Sequence, residues 1–154
     1  AHVERGAAEA PGGYGEAPKS PGGRMPTLVI HQESATVVHV TDGNEDHGDV
    51  MTYEGVVTGP DGPRGVIVGV NSSARQHGDT HWDRVGMATF SFDGDDSLCV
   101  SGVVRYETDQ VQSASGARHV SAVIGGTGQF IGARGELVSV RNPEGSFTPT
   151  FTLL

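Results

Sequence analysis

The stretch AVIGGTGQFIGARGE, residues 122–136, contains the densest run of glycines in the second half of this chain. Its centre, GGTGQFIG (125–132), has the glycine density of a phosphate-binding loop. Such a loop has to lead into the N-terminus of a helix, whereas here the strand-like sequence GARGELVSV follows. The glycines therefore predict a tight turn and a barrel corner between two β-strands, and the context argues against a nucleotide site.

The sequence on both sides of this stretch has the pattern of strands and turns. Runs rich in Val, Ile, Thr and Phe alternate with turn segments such as GPDGP, FDGDD and NPEG, in which Gly and Asn allow positive φ and Pro fixes φ. No window keeps apolar residues at helical spacing. The predicted strands span residues 28–40, 49–58, 65–75, 82–92, 97–107, 118–125, 134–142 and 147–153.

Eight strands with short connections predict an all-β fold, a closed antiparallel eight-stranded barrel, because closure removes the unpaired edges of an open sheet. A two-sheet sandwich is the alternative. Residues 1–26 are rich in Gly, Pro, Ala and Glu, and they cannot bury enough apolar area to offset the entropy of ordering. We therefore expect a disordered tail, or a lid anchored by Tyr14, followed by a barrel domain at residues 27–154.

The composition and charge of this chain argue against several classes of binding partner. The net charge is -9 and the acids are spread along the sequence, which argues against nucleic acid or an anionic membrane surface as a partner. The single Cys99 allows neither an internal disulfide nor a CxxC metal site. No run reaches the roughly 18 to 20 apolar residues of a membrane span, and the N-terminus lacks an apolar leader. We expect a cytoplasmic protein, with secretion left open.

Histidines are the most conspicuous candidates for metal ligands. His77 and His81 form an HxxxH pair, but the pair falls in a Gly-containing loop and not on a helix face. No GxSxG nucleophile elbow is present. The sequence therefore predicts neither a metal site nor covalent hydrolase chemistry, and it implies no cofactor.

The alternation of side chains along each strand predicts which residues face the barrel lumen. On the strand at 82–92 all the aromatic residues share the parity of Trp82, while Val85 and Met87 have the other parity. On the first strand both parities are mixed, and periodicity does not choose between them. On the other strands the predicted lumen residues are Met51, Tyr53, Trp82, Arg84, Phe90 and Tyr106. Because both faces are mixed, the outer face is expected to be covered in a homodimer or other homo-oligomer.

The segment at 122–136 resembles the GGTGxFxGARG signature of the allene oxide cyclase and dirigent barrel families. The segments GDVMTYEGVV (48–57), RGVIVGVNSS (64–73), MATFSFDGDDSLCVSG (87–102) and the terminal FTPTFTLL follow in the order of the matching family blocks. The resemblance covers residues 28–154. It implies a calycin-like eight-stranded barrel whose members bind a hydrophobic, reactive intermediate in the lumen and direct its ring closure or coupling.

The chain departs from the plant cyclases at most of their functional positions. The lumen Glu and Asn of the first family strand correspond to His31 and Glu33 here, so the resemblance implies that these two residues also line the lumen. Other family positions fall at Gly55, Arg75, Arg84 and Val104. Allene oxide is therefore not the expected substrate. The chain is also similar in size, acidity and tail to bacterial barrels of the Diels-Alderase type that close spirotetronate and spirotetramate rings.

These observations predict a cofactor-independent cyclase or isomerase that binds a hydrophobic, polyketide-type small molecule and directs a stereoselective ring closure such as a [4+2] cycloaddition. The alternatives are a dirigent protein that steers coupling without catalysing it, and a ligand-binding barrel. Such a closure needs confinement of the reacting ends and a hydrogen-bond donor for a carbonyl that gains electron density. The predicted catalytic residues are Glu33, Tyr53, Trp82 and Tyr106, and the predicted substrate-binding residues are His31, Met51, Asn71, Arg84 and Phe90.

Overall fold

The computed structural model describes residues 27–40, 47–59, 64–78, 80–107 and 113–154. The tail or lid predicted at residues 1–26 lies outside these residues. The described residues form ten strand segments: β1 (Thr27–Val29), β2 (His31–Gln32), β3 (Thr36–His39), β4 (Val50–Thr58), β5 (Arg64–His77), β6 (His81–Ser91), β7 (Ser97–Glu107), β8 (Arg118–Thr127), β9 (Gly135–Arg141) and β10 (Phe147–Leu153).

The strands close into an antiparallel barrel with eight strand positions, as predicted. From β4 to β10 each strand pairs with the next, and β10 pairs in turn with β1 and β2. The short segments β2 and β3 both pair with β4, so that β1, β2 and β3 together take the place of the predicted first strand. Within the described part of the chain, helix is limited to one 3-10 turn at Gly128–Phe130, and no helix there is long and apolar enough to span a membrane.

The GGTGQF segment forms the predicted corner between β8 and β9. Gly128 has a φ of 58°, and a Cβ atom at this position would lie 2.0 Å from Oδ1 of Asp96 in the β6–β7 turn. This close approach lets the backbone N–H of Gln129 donate to Asp96 Oδ1 at 2.9 Å, while the Gln129 side chain donates to the other carboxylate oxygen. The glycine-rich signature therefore joins two turns at one end of the barrel.

The first strand position is broken by one extra residue. Gln32 is opposite Val57, whereas Thr36 is opposite Glu54, so three residues (33–35) face two residues of β4. A bulge of this kind reverses which side-chain parity points inward. As a result, even-numbered residues face the interior up to Gln32, and odd-numbered residues face it from Ala35 onward.

The hydrophobic core fills the half of the barrel where β4 ends and β5 begins. Val57, Leu98 and Phe151 are completely buried there, and the Phe90 and Phe151 rings meet edge to face at 5.1 Å. On β6 the predicted parity is confirmed: Trp82, Arg84 and Phe90 are buried, while Val85 and Met87 are about half exposed on the outer surface. The other half of the lumen holds a cavity.

Candidate functional site

The cavity has a volume of about 110 Å³. It lies next to the hydrophobic core, toward the end of the barrel where β7 ends and β10 begins. Apolar side chains of the core form its floor, among them Ile67, Phe90 and Leu137. The remaining wall carries polar groups that come from six strand positions. These are Gln32, Tyr53, Asn71, Tyr106, His119, Ser121 and Ser139. One part of a ligand would therefore meet apolar surface and another part would meet hydrogen-bonding groups.

Tyr106, on β7, lies at the centre of the polar wall. Its side chain shares a hydrogen bond with Asn71 of β5, and the Arg84 guanidinium lies 4.2 Å from the centroid of its ring. Burial raises the pKa of Tyr106, while the neighbouring Arg84 charge and the hydrogen bond from Asn71 lower it, and burial is the stronger effect. The phenol therefore stays protonated at neutral pH and is a hydrogen-bond donor.

Arg84, on β6, supports the Tyr106 ring from inside the barrel. Only 1% of this residue is exposed, and its Nη1 atom donates to the Met51 sulfur at 3.5 Å. Burial lowers the pKa of Arg84, but arginine keeps its charge in proteins. A cation over the face of an aromatic ring withdraws electron density from it, so Arg84 makes the Tyr106 hydroxyl a stronger donor.

Tyr53, on β4, is the second phenol of the wall. Its ring lies across Gly69 of β5, where a Cβ atom would be 2.3 Å from Tyr53 Cζ. Burial, and to a lesser extent the nearby Tyr106, raise the pKa of Tyr53 well above its ordinary value. Tyr53 is therefore a second neutral donor in the same cavity.

The structure places most of the predicted site residues inside the barrel. Met51, Tyr53, Asn71, Phe90 and Tyr106 line the cavity. Their roles in catalysis and binding remain predictions.

Trp82 is inside the barrel but does not form part of the cavity wall. It is 2% exposed, and its ring meets the His47 ring edge to face at 5.0 Å. The Trp82 and His47 rings lie at the end of the barrel where β6 begins. Trp82 therefore belongs to the packing at this end of the barrel and not to the surface that a ligand would touch.

The predicted lumen positions of His31 and Glu33 are wrong. Both residues are exposed, and the buried residue between them is Gln32. The bulge at residues 33–35 is the reason, because even parity faces inward on the first part of this strand. Glu33 therefore does not reach the cavity.

His119, on β8, is the main cavity residue that sequence reasoning missed. Its ring stacks on Tyr106 with centroids 5.9 Å apart and 18° between the planes. Its Nε2 atom is buried and has no hydrogen-bond partner among the described residues. Burial lowers the pKa of His119, so the imidazole is neutral at physiological pH. The alternation of His119, Ser121 and Val123 along β8 carried the signal, since all three point inward.

The sequence matches no protein-family model, and no curated protein matches it. Solved structures with the same fold do exist. A pyocyanin demethylase superposes with a TM-score of 0.65 and 17% identity, over 84% of this chain and 100% of that one. AbnU, described as an exo-specific intermolecular Diels-Alderase, gives a TM-score of 0.60 and 12% identity, over 85% and 98% of the two chains. A pterocarpan synthase dirigent protein gives 0.53 and 20% identity, over 84% and 83%.

These similarities show that the chain has the barrel fold of Diels-Alderases and dirigent proteins, in agreement with the resemblance found in its sequence. At identities of 12% to 20% they establish the fold and not the reaction. An assignment of function therefore has to rest on the cavity itself.

Proposed function

We propose that this chain is a cofactor-independent cyclase, which binds a hydrophobic, polyketide-type intermediate in the barrel cavity and directs its stereoselective ring closure. The observation that carries this proposal is the division of the cavity wall into an apolar floor and a polar side with two neutral phenols, Tyr53 and Tyr106. A shared fold with a Diels-Alderase supports it.

The apolar floor supplies confinement. A cycloaddition needs no nucleophile, because its barrier falls when the two reacting ends are held in contact in the correct orientation. Ideal intramolecular positioning is worth about 7 to 11 kcal/mol, and a flexible chain folded against Ile67, Phe90 and Leu137 would gain part of this amount.

The phenols supply electrostatic stabilisation. When an alkene conjugated to a carbonyl reacts with a diene, electron density builds up on the carbonyl oxygen. A donor fixed in a water-poor cavity stabilises that charge by about 3 to 4 kcal/mol at most. Tyr106, with Arg84 against its ring, is the stronger candidate, and Tyr53 is the second.

The size of the cavity limits how much of the substrate it encloses. A volume of about 110 Å³ is of the order needed for a single six-membered ring, whereas typical ligand pockets measure about 300 to 1,000 Å³. We therefore expect the reacting atoms to lie within the cavity and the rest of a larger substrate to extend beyond it, or the flexible Met51 side chain to move aside.

A dirigent role is the second candidate, favoured by the shared fold with a dirigent protein. A dirigent barrel would use the same floor and donors to orient an intermediate that another enzyme produces. It would change the stereochemistry of the product without increasing the rate of an uncatalysed closure.

The experiment uses a linear substrate that carries a conjugated diene and a carbonyl-activated alkene, incubated with and without the purified chain. A cyclase gives faster closure and one dominant stereoisomer, and Tyr106→Phe should lower the rate about 10²-fold, since it deletes only the donor. Ser101→Ala is the matched control, because it removes a hydroxyl from the outer face of the same strand. Equal rates and product ratios with and without protein would rule out the cyclase. Altered stereochemistry seen only with a radical-generating oxidase would indicate a dirigent protein.

We also propose that the chain forms a homodimer or another homo-oligomer through the outer face of β5, β6 and β7. Apolar side chains cover this face at exposures of 39% to 59%, and they are Val66, Val68, Val70, Val85, Met87 and Val103. A contiguous apolar surface of this kind is typical of an interface.

A further inference from the structure

We propose that His119 is a proton acceptor in the cavity, and that the barrel therefore also isomerises small enolisable ketones. This activity goes beyond ring closure. It rests on the proposed function only in placing the ligand in the same cavity, and it requires no cycloaddition.

The first support is the position of the imidazole. His119 lines the cavity, and its Nε2 atom is buried without a hydrogen-bond partner among the described residues. A buried polar atom normally has a partner, because an unsatisfied one costs about 1 to 3 kcal/mol. A ligand held in the cavity would supply the group that Nε2 lacks.

The second support is the set of groups beside it. The His119 ring stacks on that of Tyr106, so a base and a phenol donor occupy the same wall. Proton abstraction next to a carbonyl needs this pair, since the base takes the proton from carbon and the donor stabilises the oxygen that becomes negative. Tyr53 adds a second donor to the cavity.

The charged and titratable groups around His119 leave it neutral. Those in the described part of the cavity are Tyr106 on β7 and Tyr53 on β4, and Arg84 on β6 lies against the Tyr106 ring. Both tyrosines are protonated at neutral pH, and burial of the His119 ring lowers its pKa and so disfavours the charged imidazole. A neutral imidazole has one nitrogen free to accept a proton.

The reaction balances without a co-reactant. His119 Nε2 removes a proton from the carbon between the carbonyl and the double bond of a β,γ-unsaturated ketone. The electron pair of the broken C–H bond moves into the carbonyl system, and the oxygen accepts hydrogen bonds from the tyrosines. The imidazolium then returns the proton to the γ carbon, which gives the conjugated ketone and restores the neutral histidine.

The test uses non-conjugated cyclohexenone, whose single ring suits a cavity of about 110 Å³. Its conversion to the conjugated isomer is followed by ultraviolet absorbance, and binding is followed by NMR shifts of the full chain. We expect the wild type to accelerate the conversion. We expect His119→Asn to lower the rate about 10²-fold or more, with binding retained. The control His81→Asn replaces a half-buried histidine that does not line the cavity, and it should leave the rate unchanged.

A rate equal to that of buffer alone, with or without measurable binding, would overturn the proposal, and so would a His119→Asn variant with the wild-type rate. His119→Gln, a second variant without a base, guards against a folding defect in the first. The rate should also fall with decreasing pH as the His119 imidazole takes up a proton, and its titration by NMR should coincide with that fall. If the purified chain isomerises the ketone but does not accelerate the ring closure, only the cyclase proposal is contradicted.

Discussion

Tyr106 contacts three polar side chains, and these contacts define its chemistry. Asn71 and Arg84 favour the charged phenolate, whereas burial favours the neutral phenol and outweighs them. The residue is therefore suited to donate a proton in a hydrogen bond and not to remove one from a substrate. Burial also keeps His119 neutral, but a neutral imidazole has a nitrogen that accepts a proton, so His119 is the acceptor beside this donor.

The two buried tyrosines should make the fold sensitive to alkaline pH. Burial raises the pKa of Tyr53 and of Tyr106 in the folded state. Above the ordinary tyrosine pKa of about 10, the unfolded chain loses these protons while the folded chain retains them, so the free energy of unfolding falls as pH rises further. Below that pH the two tyrosines are protonated in both the folded and the unfolded chain, and they cause no pH dependence of the free energy of unfolding.

Urea unfolding measured across this pH range checks the prediction. We expect a loss of stability in the wild type above pH 10 that is smaller in a Tyr53→Phe, Tyr106→Phe double variant, because phenylalanine carries no titrating proton. A double variant that loses stability as steeply as the wild type would mean that other groups cause the alkaline effect.

Among the strands, alternation predicted the inward positions where pairing is regular and did not choose between the two parities where it is not. The β6–β7 pair keeps one register from His81 to Ser91, and the predicted inward positions of Trp82, Arg84 and Tyr106 are correct. The first strand position contains a bulge, whose extra residue leaves no mark in the hydrophobic pattern. The resemblance, and not alternation, placed His31 and Glu33 in the lumen, whereas the residue that points inward there is Gln32.

The position of the Tyr53 ring depends on the absence of a side chain at Gly69, its neighbour on β5. The tyrosine ring occupies the space above the glycine, 2.3 Å from where a Cβ atom would lie. Gly69→Ala should therefore push the ring away from its place in the wall and cost about 1 to 3 kcal/mol in the free energy of unfolding.

Denaturant unfolding and ligand binding measure the two effects of this variant. Gly125→Ala is the matched control, since a Cβ atom at Gly125 meets nothing within 4 Å. Gly69→Ala with the stability and ligand affinity of the control would show that the ring position is not fixed by this glycine.

The barrel lumen has one half that stabilises the fold and another half that can bind a ligand. The buried residues around Val57, Leu98 and Phe151 form the core, and the neighbouring half keeps a cavity with polar walls. Sequence reasoning predicted the closed barrel, because eight strand-like runs and their turns are local signals. The cavity shape was not predictable, since it depends on how side chains from all eight strand positions meet across the lumen.

The apolar outer face of β5, β6 and β7 is the surface through which we expect copies of the chain to associate. Met87 is 53% exposed at the centre of the apolar face formed by β5, β6 and β7. If a second copy covers this face, Met87→Glu would bury a charge in the interface and should convert the oligomer into monomers.

Ile131→Glu is the matched control, because Ile131 is 80% exposed on the turn after Gly128–Phe130 and lies outside that face. Size-exclusion chromatography with light scattering over a range of concentrations gives the mass of each variant. A monomeric wild type, or an unchanged Met87→Glu oligomer, would contradict assembly through this face. Ligand binding should survive in the monomer, since the described residues of one chain enclose the cavity by themselves.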